Sequence, residues 1–233
     1  MLRQTAAVLT CALALGLAAC GGDDDDGGGG EPKQPQDAPT VDQQQSGGCA
    51  EVTQPKPKPD GGAKRPAQAL DPDANYDVVL KTSCGDITIR LDQKASPKTA
   101  ASFAGLAEAG FFDDSVFHRI VPGFVIQGGD PTATGTGGPG YSTRDVPPAG
   151  TTYKKGTVAM AKTQTEPPGT AGSQFYVVTA PDAGLPPEYA LLGKVVKGQD
   201  VVDAIGELGD PASGEAGTPL QPVVIERATV RKS

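Results

Sequence analysis

The 233-residue chain contains no tryptophan, one histidine (His118) and two methionines, and only 5% of its residues are aromatic. One histidine and the lack of a Cys-x-x-Cys pair disfavour a zinc site, and no metal or cofactor is expected. Positive charge is also scarce. Twenty Lys and Arg against 28 Asp and Glu leave a formal net charge of −8, the wrong sign for a protein that neutralises nucleic-acid phosphates. Beyond the first twenty residues no run is long and apolar enough to span a bilayer, and no repeat of roughly 20–50 residues is present. What the chain does have in quantity is Gly (32) and Pro (22), spread unevenly along its length.

The N-terminus reads as an address. Arg3 precedes an apolar stretch, Ala6 to Ala19, that ends in small residues, the pattern of an export signal over residues 1–19. Leu17-Ala18-Ala19-Cys20 looks like a bacterial lipobox, in which Cys20 is lipidated and anchors the chain to the membrane outside the cytoplasm. The alternatives are an ordinary secretory signal or a short buried helix. Gly21-Gly22, Asp23 to Asp26 and Gly27 to Gly30 follow; such a sequence cannot build a core and suits a solvated tether. Calcium binding by the acidic run is disfavoured, since spaced partner ligands are lacking. Pro55, Pro57, Pro59 and Pro66, interleaved with Lys56, Lys58 and Lys64, extend the expected disordered tether over residues 20–75 in a polyproline-like form. If Cys11 leaves with the signal and Cys20 carries lipid, Cys49 and Cys84 remain as a pair in an oxidising compartment. A disulfide between them is expected, the alternative being two free thiols; it would contribute roughly 4 kcal/mol through loop entropy.

From Tyr76 the pattern changes. Val78 and Leu80, then Ile87, Ile89 and Leu91, alternate on either side of Ser83-Cys84-Gly85-Asp86, the period of a β-hairpin. Ser96-Pro97 opens a helix that Gly110 follows, with Ala100, Phe103, Ala104, Leu106 and Ala107 as its core stripe. Short β-like runs follow at 116–120, 124–127, 157–161, 175–178, 190–196 and 223–230, with a second helix over 199–208. Many short strands with Gly/Pro turns and two helices predict a mainly β domain: a closed or nearly closed antiparallel barrel capped by helices.

One segment carries unusual chemistry. In Phe117-His118-Arg119-Ile120-Val121-Pro122-Gly123-Phe124-Val125-Ile126-Gln127-Gly128-Gly129-Asp130-Pro131, a histidine, an arginine and a glutamine interrupt apolar runs. Buried groups of this kind need partners or a ligand; taken singly, a structural salt bridge and a core histidine would be the better reading. The segment, however, resembles the signature of the cyclophilin-type peptidyl-prolyl isomerases. Gly135-Thr136-Gly137-Gly138, Val158-Ala159-Met160-Ala161, Gly169-Thr170-Ala171-Gly172-Ser173-Gln174-Phe175-Tyr176 and Gly193-Lys194-Val195 continue the resemblance over residues 76–233.

The resemblance implies a closed eight-stranded antiparallel barrel with a helix at each end. It further implies rotation of X–Pro bonds in proline-containing polypeptides, and Arg119, Gln127 and His118 as catalytic residues. Phe124, Val125, Tyr176 and Leu185 would form the proline pocket. Ala161 and Lys162 would pair with the peptide backbone, and Tyr189 takes a position often held by histidine. Phe175, by alternation, should face the core. Val125 stands where many relatives carry Met, and Lys162 where Asn is common. Ala183-Gly184-Leu185 replaces a tryptophan of human-type members that helps bind cyclosporin, so weak cyclosporin binding is expected. A lipid-anchored proline-segment chaperone with little turnover is the alternative, disfavoured because a pure binder has no use for the guanidinium. A monomer is the expected state.

Overall fold

The computed structural model describes residues 48–233; the signal segment 1–19, the lipidation candidate Cys20 and the tether up to residue 47 lie outside them. Eleven strands and two helices follow in chain order: β1 Tyr76–Thr82, β2 Gly85–Leu91, α1 Pro97–Glu108, β3 Ser115–Val116, β4 Arg119–Val121, β5 Val125–Gly128, β6 Thr143–Arg144, β7 Thr157–Met160, β8 Thr170–Ala171, β9 Phe175–Val178, β10 Leu191–Lys197, α2 Gln199–Gly206 and β11 Val224–Lys232. Nine strands form one antiparallel sheet in the order β3-β11-β1-β2-β10-β7-β9-β5-β4, while β6 and β8 pair separately.

The sheet is a curled half-barrel of nine strands, where a closed barrel of eight was expected. Its two edge strands, β3 and β4, are consecutive in the chain but do not pair with each other. Phe117 and His118 carry the chain from one edge to the other without a turn, so the strands cannot fold back into a ladder. The segment 217–223 bridges the gap instead: Phe117 N–H donates to Val223 O at 2.9 Å and Ile120 N–H to Gly217 O at 2.7 Å.

The period-2 hairpin forms as expected, with Val78 opposite Ile89 and Leu80 opposite Ile87, all four side chains fully buried. α1 packs its alanine-rich stripe and Phe103 into the same core. Phe103 meets Phe112 in a tilted pair at 4.6 Å and Phe175 edge-on at 5.3 Å, the latter an arrangement favoured by the ring quadrupoles. Burying such side chains fully stabilises by roughly 1.5–3 kcal/mol each. Phe175 faces inward, 0% exposed.

The start of α1 is held differently from the expectation. Ser96 occupies the N-cap but its side chain caps nothing. The Asp145 carboxylate accepts from Thr99 N–H at 2.7 Å and from Thr99 Oγ at 2.8 Å, satisfying a helix-end donor from outside the helix.

Residues 48–75 form no helix or strand, yet they lie along the domain rather than trailing as tether. An extended proline-rich chain leaves its backbone groups free to bond elsewhere, and here Lys58, Gly61 and Ala63 donate N–H to Pro131 O, Gly138 O and Pro139 O at 2.8, 2.9 and 3.1 Å. The Lys58 ammonium donates to Phe111 O and Asp113 O; burial lowers its pKa, and the carboxylates of Asp113 and Asp114 oppose that shift. Cys49 is disulfide-bonded to Cys84 at the hairpin tip. Among the described residues no helix is long and apolar enough to cross a membrane.

Candidate active site

β4 and β5 place Arg119 opposite Gln127. The Arg119 guanidinium donates from Nη1 to Gln127 Oε1 at 3.3 Å and from Nε to Glu215 O at 3.0 Å. Gln127 is oriented in turn: its Nε2 donates to Gln174 Oε1 at 3.0 Å, and Gln174 Nε2 donates to Gly135 O and Gly137 O at 3.0 and 2.9 Å. The second amide therefore sets the first, and the carbonyl of Gln127 faces the guanidinium. Partial burial lowers the Arg119 pKa, with Glu215 acting in the opposite sense; a guanidinium keeps its proton at neutral pH regardless.

Arg119 stands at a pocket of about 500 Å³ whose apolar wall comprises Phe124, Val125, Tyr176 and Leu185. Its guanidinium carbon lies 5.9 Å from the Phe124 ring centroid. Ala161, Lys162 and Tyr189 complete the wall on the far side. The Ala161 N–H is already bonded to Gln174 O at 2.9 Å.

Lys162 does more than its backbone role suggested. Its side chain is only 3% exposed, with Nζ 3.2 Å from Glu188 Oε2 and 5.4 Å from the Tyr189 ring centroid. Tyr189 is fixed from behind by fully buried Tyr153, whose hydroxyl donates to Tyr189 O at 2.7 Å and accepts from Tyr189 N–H at 3.0 Å. The Tyr176 hydroxyl is buried without a partner, and burial drives its pKa far above the phenol range.

His118 is the expected site residue that stands apart. It does not line the pocket; its ring lies beneath the loop at Gly135, where an added Cβ would come within 3.9 Å of Cδ2. Both ring nitrogens are buried without partners. Burial lowers its pKa, Asp130 and the nearby Gln174 side chain oppose this although no Gln174 atom meets hydrogen-bond geometry with the ring, and Arg119 adds to the lowering. Val121, within the motif but given no role there, and Glu215, outside it, also line the pocket. Glu215 arrives on the 3₁₀ turn Pro211–Ala216, a segment with no strong pattern of its own.

A fixed cation beside an apolar pocket, with a glutamine amide next to it, suits rotation about a peptide bond. The barrier of roughly 18–20 kcal/mol comes from C–N resonance. A donor that favours a pyramidal, non-conjugated nitrogen stabilises the twisted state over either planar one, and needs no nucleophile.

Comparison with known proteins agrees with this geometry. Residues 77–230 match the sequence model of the family described as cyclophilin type peptidyl-prolyl cis-trans isomerase/CLD. The chain is 41% identical to peptidyl-prolyl cis-trans isomerase B of Streptomyces anulatus over 172 residues, covering 66% of this chain and 95% of that one. It is 38% identical to peptidyl-prolyl cis-trans isomerase A of Mycobacterium tuberculosis over 177 residues, covering 68% and 94%. Its fold is similar to a crystal structure of a Cryptosporidium parvum cyclophilin type isomerase solved in the presence of the dipeptide Ala-Pro, with TM-score 0.60, 28% identity and coverage of 67% of this chain and 99% of that one. A half-barrel that carries an arginine and a glutamine beside an apolar pocket, with sequence relatives of this extent, belongs to the cyclophilin-type peptidyl-prolyl cis-trans isomerases.

Proposed function

We propose that the chain is a lipid-anchored isomerase of secreted or cell-surface polypeptides, with Arg119 as its principal electrostatic catalyst. The observation that carries the catalytic assignment is the pair of hydrogen bonds holding the Arg119 guanidinium at the mouth of the Phe124–Val125–Tyr176–Leu185 pocket. Gln127 orients Arg119 and holds the substrate backbone. The apolar wall grips the proline ring while the preceding carbonyl turns. His118, buried near Gly135, is the residue that the resemblance assigns to contact with the substrate peptide.

Removing one preorganised donor from a site of this kind costs roughly 10²–10³ in rate. Arg119→Ala should therefore lower kcat/KM for an X–Pro peptide by about a hundredfold, measured by exchange NMR. Equal rates for the two proteins would end the assignment. The membrane anchor is supported by the Leu17-Ala18-Ala19-Cys20 sequence. Metabolic labelling with a fatty acid should mark the wild type and leave Cys20→Ala unlabelled and released; an unlabelled wild type overturns the anchor.

A further inference from the structure

The docked segment 48–75 precedes the residues that match the family, yet it reaches the site. Asp60 stands at the rim of a second groove of about 420 Å³, whose walls include the glycine-rich loop 135–140 and Gln174. This groove shares Gln127, Ala161 and Lys162 with the proline pocket. A polypeptide with its proline in the pocket therefore has one flank lying across the groove. The wall at Gly135, Gly137 and Gly138 carries no side chains, so a substrate backbone can approach it closely.

Asp60 is fixed in place. Its Oδ1 accepts from Gly138 N–H at 2.8 Å, and Gly61 N–H bonds to Gly138 O. Gly61 and Gly140 abut so closely that a Cβ on Gly140 would lie 3.1 Å from Gly61 Cα. The carboxylate is exposed and forms no ion pair among the described residues. Glu166 adds a second carboxylate to the same groove, steadied by Thr163 N–H and Oγ at 2.6 and 2.9 Å. The one ammonium at the junction of groove and pocket, Lys162, is already paired with Glu188. The Arg65 guanidinium is engaged with the groove wall, 5.1 Å from the Tyr141 ring centroid and donating to Ser142 O at 2.7 Å, so the carboxylates of Asp60 and Glu166 are the side-chain charges that the groove lining presents outside any ion pair.

We infer that Asp60, with Glu166, makes this groove select substrate segments that carry a lysine or arginine a few residues from the X–Pro bond, on one flank only. The inference rests on the isomerase reading and gives the docked arm a part in substrate choice. The test is a set of X–Pro peptides with Lys or Glu at each of the nearest positions on either flank, assayed by exchange NMR with the full chain. The wild type should prefer Lys over Glu by about threefold in kcat/KM on one flank, the size of an exposed ion pair, and by little on the other. Salt should erase the preference as the screening length shortens.

Asp60→Asn keeps the acceptor for Gly138 N–H and removes the charge, so the ratio should fall toward one; Asp60→Lys should invert it. Hydrogen exchange at Gly138 reports whether the arm stays docked. A wild-type ratio of one, or the same ratio on both flanks, overturns the inference whatever the variants do. So does a ratio that Asp60→Asn leaves unchanged while Gly138 stays protected. Should Gly138 lose protection, the wild-type flank and salt dependence decide the matter. Absence of turnover for every peptide would instead count against the isomerase reading.

Discussion

Replacing Cys49 and Cys84 together by serine should cost the domain about 4 kcal/mol. The two cysteines are 35 residues apart in sequence, and the loop-entropy relation for a cross-link of that span gives roughly 4 kcal/mol at 25 °C. The native contacts near the bridge would largely persist, since Ala50 N–H still reaches Ser83 O at 2.8 Å and Lys58 still holds Phe111 O and Asp113 O. The loss therefore resides in the freedom regained by the unfolded chain. With a urea m-value near 2 kcal/mol/M, the midpoint should drop by about 2 M, and Tm by roughly 8–16 °C. The m-value itself should rise slightly, because an unlinked chain exposes more surface. Dithiothreitol should reproduce the loss in the wild type and do nothing to the double variant. A fall of less than about 1 kcal/mol, in a wild type shown by mass to be oxidised, would refute the entropic reasoning.

Other outcomes follow from particular contacts. Asp145→Ala removes the acceptor for two Thr99 donors and should cost about 1–2 kcal/mol in urea unfolding, the range of a lost N-cap; a neutral substitution would mean that water replaces it. Gly193→Ala would drive a Cβ into the carbonyl oxygen of Arg90, across the ladder that joins β10 to β2. It should destabilise by more than about 3 kcal/mol, and a soluble variant with the wild-type Tm would contradict that close approach. Stability should also fall as pH drops. Burial holds the His118 pKa below its ordinary value, so the unfolded chain takes up the proton first as pH falls through about 6.5. The loss grows until the folded-state pKa is reached. His118→Gln should flatten the stability profile as pH falls below about 6.5; an unchanged slope would show that other groups set it.

Much of the sheet and the pocket was legible in the sequence because period and motif are local. Alternation at Val78, Leu80, Ile87 and Ile89 marks the hairpin, and Ser96-Pro97 marks the first turn of α1. The apolar wall at Phe124, Val125, Tyr176 and Leu185 follows from the family resemblance, and the structure brings those residues together around Arg119. What stayed hidden depends on distant partners. Glu215 reaches Arg119 through a carbonyl oxygen, a group every residue has. Asp145 caps a helix that starts 48 positions earlier at Pro97. β6 and β8 are two residues long, too short to show a period. The segment 48–75 misled for a different reason: composition reports the lack of a core, and docking through backbone groups requires none.

The strand β1 lies between β2 and β11, and Asn75 and Ser233 exchange backbone hydrogen bonds at 2.8 and 3.0 Å. Among the described residues the first strand in chain order is thus zipped to the last. A chain emerging from a narrow exit can form the β1–β2 hairpin early, but one side of β1 stays unpaired until β11 arrives. Pairings that span a whole domain are slow to form, and an open strand edge invites wrong partners in the interval. This isomerase therefore has a slow interval in its own folding. A circular permutant that joins Ser233 to Asn75, gives up the arm before Asn75 and opens at an exposed loop would place β11 and β1 next to each other in synthesis and shorten that interval.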